Sequence, residues 1–377
     1  MKVFAKSALT GEALATVLVS GSDTVRLLCQ QIAQACGEAS TLQILLEGKV
    51  LEYHQDLLSA GLFDGCHVEV IKDRRLVLTA SHDTTAKIWC SDGECLVTLR
   101  GHTGAVNAAC FSHSGCWVAT GSLDRSAKLW VIESEQHSWH GTCKATLFGH
   151  HGALVSVDFS PDDRLLVTAS SSDNSGRIWC LETEECVSVL EGYELNSARF
   201  TADGLKILTA CSWCDCALLW CVETGRVLQR FAPHDAAVLH SSMSHDMSTV
   251  ATATWDGSLM LWWADSGQLR QKLTGFGEKS KVYVSFSPDD RKVVSAGIHH
   301  VAQIWETHGA SQRRASSVTL SGHGNSVTSA EFSAEGAWVV TGSYDGTAKI
   351  WDSTTGEMLR TLKGHSDPVR SVCFSPH

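Results

Sequence analysis

Four cysteines fall within eleven residues of the chain, three in the stretch CSWCDC at 211–216 and one at Cys221. Thiolates this close together are typical zinc ligands, and a structural zinc site takes four ligands from cysteine and histidine. No second cysteine pair or suitably spaced histidine completes such a set. A thiol is also a small apolar group that is commonly buried. We therefore interpret these cysteines as structural and predict neither a metal nor another cofactor.

The chain has 18 histidines and 41 acidic residues, but no motif assembles them for catalysis. The sequence lacks GxSxG, a P-loop, a dinucleotide fingerprint and HExxH, which are patterns that place reactive groups on a defined turn or helix. HSWHGT at 137–142 comes nearest, but two histidines three residues apart in an insertion are weak evidence for a metal. We predict that the protein is not an enzyme.

The composition favours a large folded core and protein partners. The 377 residues are 44% hydrophobic, and their net charge of -11 offers no basic surface for nucleic acid. No secretory leader and no run of about 18 apolar residues occurs. The 15 cysteines then indicate free thiols in a reducing compartment. We expect a soluble cytoplasmic or nuclear protein that binds proteins or peptides, without direct nucleic-acid or membrane binding.

A tryptophan recurs every 41 to 49 residues along most of the chain. The series is Trp89, Trp130, Trp179, Trp220, Trp262, Trp305 and Trp351. Each unit starts with a GH-type turn and an apolar run ending in Phe-Ser, as in GHTGAVNAACFS, followed by a second run such as WVATGS, a polar turn and the Trp segment. Short alternating runs between Gly, Asp and Ser turns predict four antiparallel strands per unit.

These units resemble the WD-repeat family, although the literal Trp-Asp pair occurs only at Trp351 and Asp352. The resemblance implies an all-β seven-bladed propeller over residues 74–377, because such units bury their faces only by stacking. The first unit begins at its second strand, RRLVLTAS, and has no first strand of its own. We expect the C-terminal strand at 368–375 to complete blade one and close the ring.

The resemblance also implies a structural network in which a turn histidine bonds, through a hydroxyl on the second strand, toward the Trp, with an Asp beside it. The predicted sets are His102, Asp124 and Trp130; His150, Asp173 and Trp179; His234, Asp256 and Trp262; His323, Asp345 and Trp351; and His365, Asp83 and Trp89. The hydroxyls are those of Thr120 and its counterparts, with the Ser two residues later as the alternative. In units four and six, Tyr193 and Phe276 replace the histidine, and Cys214 and His299 replace the Asp.

The first 73 residues resemble ubiquitin, with MKVFAK and SALTG as its first hairpin, SDTVRLL as its helix start and LLEGKVLE as its third strand and turn. The resemblance implies an α+β ubiquitin-like (β-grasp) domain. No Gly-Gly tail follows HVEVIK, so we do not expect conjugation to lysines. Leu9, Leu45 and Ile71 match ubiquitin's exposed apolar patch. They either form a docking surface or pack on the propeller.

One rim of the propeller is the candidate peptide-binding surface, because family resemblance makes the propeller a platform whose loops bind peptides. Its candidate residues are Trp213, Trp255, Tyr283, Tyr344, Leu123, Arg370, Asn107 and Asn196. The alternative for the two tryptophans is packing between blades. A second insertion, ASQRRASS at 310–317, makes Ser316 a candidate phosphorylation site or part of a solvated basic loop.

Two functions fit these features. The first is a non-enzymatic adaptor whose propeller holds a client while the ubiquitin-like domain docks on ubiquitin-recognising machinery, such as a proteasome or ligase component. The second is a ribosome-assembly factor similar to Notchless, in which the ubiquitin-like domain docks on a remodelling ATPase. A substrate receptor of a cullin ligase is disfavoured, because none of the seven tryptophans has the characteristic Arg three residues later.

Overall fold

A computed structural model of the chain describes residues 1–7, 13–20, 22–23, 25–36, 42–46, 49–50, 57–72, 75–135, 138–191, 194–273, 283–297, 300–307 and 318–376. These residues form two compact units. One comprises Met1–Arg75 with Cys90–Glu94, and the other comprises Leu76–Trp89 with Cys95–His377. The predicted domain boundary at residue 73 lies in residues 73–74, which are outside the described ranges. The second unit begins at Leu76.

The N-terminal unit is a five-stranded mixed sheet with a helix, α1 (Val25–Cys36). Its strands are β1 (Lys2–Ser7), β2 (Ala13–Leu18), β3 (Leu42–Leu46), β4 (Lys49–Val50) and β5 (His67–Lys72). The sheet order is β2-β1-β5-β3-β4; β1 and β5 run parallel, and the other neighbouring strands run antiparallel. At 12 residues, α1 is the longest helix among the described residues, and no described helix is long and apolar enough to cross a membrane.

A single core holds this unit together. Alternate residues of the strands, including Val3 and Val68, face α1 and are fully buried. The helix contributes Val25, Leu28 and Ile32, whose spacing of three and four residues puts them on one face. The period-two strands and the helix therefore bury one face each against the other.

The predicted apolar patch of this unit is described only in part. Leu9 lies outside the described residues. Leu45 lies in β3 and Ile71 in β5, which are adjacent strands, but their side chains also lie outside the described part. The exposure of the patch stays a prediction.

The described residues of the second unit form seven four-stranded antiparallel sheets, the blades. The first three blades contain β6 (Leu76–Ser81), β7 (Ala86–Cys90), β8 (Cys95–Leu99), β9 (Val106–Phe111), β10 (Trp117–Ser122), β11 (Ala127–Glu135), β12 (Ser138–Leu147), β13 (Leu154–Phe159), β14 (Leu165–Ser170), β15 (Ser175–Cys180) and β16 (Cys186–Glu191). The next two contain β17 (Leu195–Phe200), β18 (Lys206–Cys211), β19 (Cys216–Cys221), β20 (Val227–Phe231), β21 (Val238–Met243), β22 (Thr249–Thr254), β23 (Leu259–Trp263) and β24 (Leu269–Leu273). The last strands are β25 (Tyr283–Phe286), β26 (Lys292–Ala296), β27 (Val301–Glu306), β28 (Val318–Ser321), β29 (Val327–Phe332), β30 (Trp338–Ser343), β31 (Thr347–Asp352), β32 (Met358–Lys363) and β33 (Val369–Phe374).

The first strands of successive blades lie side by side around a channel. The series runs β9, β13, β17, β21, β25, β29 and β33, and β33 contacts β9 again. Strand β33 is hydrogen-bonded to β6, with Val369 opposite Ser81 and Phe374 opposite Val77. The last strand of the chain thus completes blade one and closes the ring.

Apolar clusters fill the seven interfaces between neighbouring blades. Trp130 of blade two packs with Leu78 and Ile88 of blade one, and Trp89 of blade one packs with Trp338 of blade seven. Each repeat tryptophan is almost fully buried in such an interface. The all-β propeller prediction is confirmed, since no blade buries both of its faces without its neighbours.

In five of the seven blades, a hydrogen-bond chain ties the repeat tryptophan to the turn histidine. In blade two, Trp130 Nε1 donates to Thr120 Oγ1 at 2.9 Å, and His102 Nε2 lies 2.8 Å from the same hydroxyl. His102 Nδ1 lies 2.7 Å from Asp124 Oδ2. A carboxylate only accepts, so Nδ1 donates to it and Nε2 accepts from the threonine. Equivalent His–Asp distances of 2.8, 2.9 and 2.7 Å join His150 to Asp173, His323 to Asp345 and His365 to Asp83.

Blade five departs from the prediction, and the pairing of His234 with Asp256 is wrong. His234 Nε2 meets Thr252 Oγ1 at 2.8 Å, but its Nδ1 lies 3.0 Å from the backbone oxygen of Asp215 in blade four. The Asp256 carboxylate instead accepts from the hydroxyl of Thr254 at 2.5 Å and from the Ser258 amide at 3.0 Å. A local hydroxyl and a neighbouring carbonyl have replaced the ion pair.

In blades four and six, the described residues show only the bond from the repeat tryptophan to a hydroxyl. Trp220 Nε1 donates to Thr209 at 2.9 Å, and Trp305 Nε1 donates to Ser295 at 3.1 Å. Tyr193, Phe276 and His299 lie outside the described residues. The tryptophan anchor is therefore common to all blades, whereas the histidine is not.

The glycine before the network histidine is explained by close packing against the repeat tryptophan. Gly364 has φ +152°, and a Cβ added there would lie 3.1 Å from Trp89 Cη2. The Gly-His pair lets the backbone approach the indole closely while the imidazole reaches the hydroxyl.

We expect His102→Ala and Asp124→Ala each to lower the free energy of unfolding by about 1 to 3 kcal/mol, because either change leaves buried polar partners unpaired. Guanidinium denaturation measures the loss. The matched control is His113→Ala, whose exposed imidazole lies 3.6 Å from Asp163 and should change stability by less than about 0.5 kcal/mol. Equal effects of His102→Ala and His113→Ala would contradict the network's contribution.

The network should also make stability depend on pH. Burial lowers the pKa of His102, although Asp124 opposes this shift. Burial pushes the pKa of Asp124 upward, but hydrogen bonds from Ser126 and His102 outweigh it and lower that pKa to about 2. On acidification the unfolded chain therefore binds more protons than the folded chain, so stability is present above about pH 6.5 and is lost as the pH falls.

We predict that the free energy of unfolding falls between about pH 6.5 and 5.5, by up to about 1.4 kcal/mol per pH unit for each buried network histidine. His102→Ala should flatten this slope by up to one histidine's share. Denaturation curves at several pH values measure the slopes. An unchanged slope in His102→Ala would show that its imidazole titrates alike in both states.

Candidate functional site

The hairpins between the second and third strands lie at the same end of the ring as the starts of the first strands. Backbone hydrogen bonds of 2.9 Å fix this arrangement, from Leu123 N to the Ala105 oxygen, and from Trp255 N to the Ala237 oxygen. Tyr344 N donates to the Ser326 oxygen in the same way. We call these hairpins, with the residues that start the first strands, the hairpin rim.

Large apolar side chains on the hairpin rim face solvent. Trp213 is 85% exposed and Trp255 is 45% exposed, so neither is buried between blades. Leu123 in blade two and Tyr344 in blade seven are also exposed. Exposed aromatic side chains of this size commonly mark binding surfaces.

Polar groups surround the channel mouth inside this rim. Arg370 donates to the Tyr344 hydroxyl, and its guanidinium lies 5.2 Å from the centre of that ring. Asn107 Nδ2 donates to the Leu154 oxygen at 2.9 Å, and Asn196 Nδ2 donates to the Val238 oxygen at 3.1 Å. Both amides therefore bridge the first strands of neighbouring blades. A cavity of about 190 Å³ lies between these residues.

Tyr283 starts β25 and lines the mouth cavity from a position deeper in the channel than Asn107, Asn196 and Arg370. It stands three residues before Phe286, whereas Asn107, Asn196 and Arg370 each stand four residues before the corresponding Phe, so it sits one step deeper along its strand. Its ring centre is 3.8 Å from that of His240. Arg199 Nη2 donates to its hydroxyl at 2.5 Å, and burial raises the pKa of that hydroxyl. Tyr283 lines the mouth cavity of about 190 Å³ together with Asn107, Asn196 and Arg370, and its part in peptide binding stays a prediction.

A charged group in the middle of the channel was missed at the sequence level. Arg199 Nη2 lies 3.8 Å from Glu331 Oε2. Burial raises the pKa of Glu331 to about 7, although Arg199 opposes the shift, and burial also raises the pKa of Asp158. Arg199 lines both the cavity at the mouth and a second cavity of about 370 Å³ farther along the channel.

The position of these residues in the repeat could have revealed them. They occupy the place just before the aromatic or Met residue that ends each first strand. The set is Cys110, Asp158, Arg199, Ser242, Ser285, Glu331 and Cys373, and all seven line the larger cavity. Three of them are charged within otherwise apolar or small runs. Only the closed ring, however, brings one residue from each blade to a common axis.

Among the described residues, the three cysteines of CSWCDC form a group that could hold a metal ion. The Sγ atoms of Cys211, Cys214 and Cys216 all lie within 4.8 Å of one another, and those of Cys214 and Cys216 are 3.0 Å apart. Cys211 and Cys216 are fully buried, and Cys214 is half-buried. Cys221, at the far end of β19, is not a member of the group.

The two insertions are described unequally. In blade two, the insertion forms an extended hairpin of β11 and β12, with His140 opposite Glu133 and exposed to solvent. The segment that carries Ser316, with Arg313 and Arg314, lies outside the described residues, as does His137. Phosphorylation of Ser316 stays a prediction.

Comparison with known families matches the blades. The model of the family described as "WD domain, G-beta repeat" matches residues 93–131, 141–180, 225–262, 315–352 and 356–377. Each of the first four matches begins within or just before the fourth strand of one blade and ends in the Trp strand of the next. The sequence repeat is thus offset by one strand from the blade.

Relatives are similar over much of the chain. The Ribosome biogenesis protein WDR12 homolog of Nematostella vectensis is 27% identical over 81% of this chain and 70% of its own length. Protein tipD of Dictyostelium discoideum is 27% identical over 72% of this chain and 44% of its own length. The Ribosome biogenesis protein YTM1 of Chaetomium thermophilum is 27% identical over 78% of this chain and 59% of its own length. The chain therefore carries WD repeats over the five matched segments, which lie in its blades.

Proposed function

We propose that this protein is a non-enzymatic interaction scaffold whose hairpin rim binds client peptides. The exposure of Trp213 and Trp255 on adjacent blades is the observation that carries the proposal. A folded propeller gains nothing in stability from a tryptophan that is 85% exposed. The same residue in an interface is a typical centre of binding energy.

The channel mouth supplies complementary polar contacts. Arg370 stacks against Tyr344, which holds the guanidinium at the edge of the cavity of about 190 Å³. Asn107 and Asn196 line the same cavity. Aromatic rim residues would then anchor the client, and the cationic and amide groups at the mouth would set the orientation of one of its polar side chains.

The N-terminal unit is proposed to be a ubiquitin-like domain that docks on ubiquitin-recognising machinery. Support comes from its sheet order, with β1 parallel to β5 at the centre, and from α1, which follows the first hairpin. Leu45 and Ile71 lie on the adjacent strands β3 and β5, as the matching apolar patch requires. The propeller would hold a client while this unit binds a second partner.

The alternative is a factor in ribosome assembly, in which the N-terminal unit docks on a remodelling ATPase. Two relatives carry the name "Ribosome biogenesis protein", each 27% identical to this chain. Their similarity spans most of this chain, including blades. It therefore also supports a client of the propeller that takes part in ribosome assembly.

The double variant Trp213→Ala with Trp255→Ala should lose client binding while remaining folded. We expect about 2 kcal/mol of binding energy from each tryptophan at a good site, and a change in the free energy of unfolding near 0.5 kcal/mol or less. The matched control is Leu205→Ala, a 66% exposed residue at the other end of β18. Clients captured by wild-type full-length protein would be identified by mass spectrometry, and their affinities measured against each variant.

A stable double variant with undiminished client affinity would reject the hairpin rim as the binding surface. A loss of about 3 to 5 kcal/mol in stability, the size expected for truncating a buried tryptophan such as Trp220, would instead indicate packing.

Deleting residues 1–75 should separate the two partners. The remaining propeller should keep its rim clients and lose either ubiquitin receptors or a large ATPase from the captured complex. Co-sedimentation of the full-length chain with ribosomal precursor particles would favour the assembly role, and capture of ubiquitin receptors without such particles would favour the adaptor. Retention of every partner by the shortened chain would contradict docking through the N-terminal unit.

A further inference from the structure

The three cysteines of blade four occupy, position for position, the places of three oxygen-bearing residues in blade three. In both hairpins, four residues join the end of the second strand to the start of the third, and the last of these has a positive φ, 56° at Asn174 and 44° at Asp215. Corresponding residues are Cys211 and Ser170, Cys214 and Asp173, and Cys216 and Ser175. Blade three is therefore an oxygen version of the same local structure.

In blade three, the oxygens satisfy one another and the network histidine. Ser175 Oγ donates to Asp173 Oδ1 at 2.8 Å, and the Asp173 amide lies 3.4 Å from Ser170 Oγ. The other carboxylate oxygen meets His150 Nδ1 at 2.8 Å. Blade four has sulfur at all three places, so no carboxylate stands at the place of Asp173. Weak thiol donors and acceptors do not replace that network, but three convergent sulfurs form a different kind of site.

We propose that Cys211, Cys214 and Cys216 bind one monovalent copper ion through three thiolates. Soft thiolate ligands select Cu(I), zinc and iron–sulfur clusters, and iron–sulfur clusters are held by four cysteines. Zinc in structural sites takes four protein ligands. The group of mutually close His, Cys, Asp and Glu ligand atoms found in the described part of the chain has three members, so it suits an ion that accepts three sulfurs.

The sulfur positions need little adjustment to share an ion. Three thiolates bound at about 2.3 Å in a plane would lie about 4 Å apart. The present sulfurs are all within 4.8 Å of one another, and the Cys214 and Cys216 sulfurs, 3.0 Å apart, would separate by about 1 Å. All three ligands come from one hairpin, so no blade has to move.

The surroundings suit an ion that enters from the rim. Cys211 and Cys216 are buried in the interface between blades three and four, whereas Cys214 is half-buried next to the exposed Trp213. Arg230 Nη2 donates to the Cys214 carbonyl oxygen at 3.2 Å. Its guanidinium places a positive charge beside a site that becomes net negative when three thiolates hold one monovalent ion.

The test is transfer of Cu(I) from a chromogenic chelator to the full-length protein, reduced by a phosphine under anaerobic conditions. Wild type should withdraw one more equivalent than Cys214→Ser or Cys216→Ser, and the affinity at this site should fall at least about 100-fold in each variant. The matched control is Cys221→Ser on the same strand, which should behave as wild type. Because each variant changes one thiol, the remaining cysteines contribute the same background.

X-ray absorption at the copper edge should show three sulfur neighbours in wild type. Equal copper withdrawal by wild type, Cys214→Ser and Cys221→Ser would overturn the site. Two sulfur neighbours would also overturn it. One equivalent of zinc retained through gel filtration by wild type and lost in Cys214→Ser would require a fourth ligand, and would overturn the three-coordinate assignment.

Discussion

The ladder between β33 and β6 is the interaction on which the ring depends. It joins residues near the end of the chain to residues near the start of the propeller, and the His365 to Asp83 contact of 2.7 Å crosses the same junction. Without this pairing, β6 would present an open edge and the cluster around Trp89 would lose the wall that Phe374 provides. The apolar cores between blades therefore depend on a closed ring, and the channel forms only when β33 has paired with β6.

The hydrogen-bond chain in the blades links this closure to the hairpin rim. In blade two, the buried Trp130 bonds the Thr120 hydroxyl, which bonds His102. His102 in turn bonds Asp124 of the hairpin. The hairpin that carries Leu123 is thus positioned by groups that are themselves locked in the core. The backbone that carries the rim side chains is thus already ordered. A ligand that bound there would cost little further conformational entropy, as a preformed binding surface requires.

Blade four shows that this design tolerates chemical replacement. Trp220 still donates to Thr209, and the first three strands keep the lengths of those in blade three, so the hairpin geometry survives without a carboxylate at the place of Asp173. The freed positions hold sulfur, and Trp213 projects from between two of the cysteines. A metal on those sulfurs would fix the loop that presents the most exposed tryptophan of the rim, replacing the His–Asp contact that blade three uses.

The sequence by itself determined the repeat, because the tryptophan spacing, the Gly-His turns and the alternating runs are local consequences of strand and turn chemistry. It also indicated where the ring closes, since the first unit lacks a strand that the C-terminus supplies. Only the tertiary structure decided which acceptor His234 meets, because the choice between Asp256 and the carbonyl of Asp215 depends on how blades four and five abut. The depth of Tyr283 and the convergence of Arg199 with Glu331 likewise depend on all seven strands surrounding one axis. Local pattern specifies each blade, but contacts between residues far apart in sequence form only when the ring is complete.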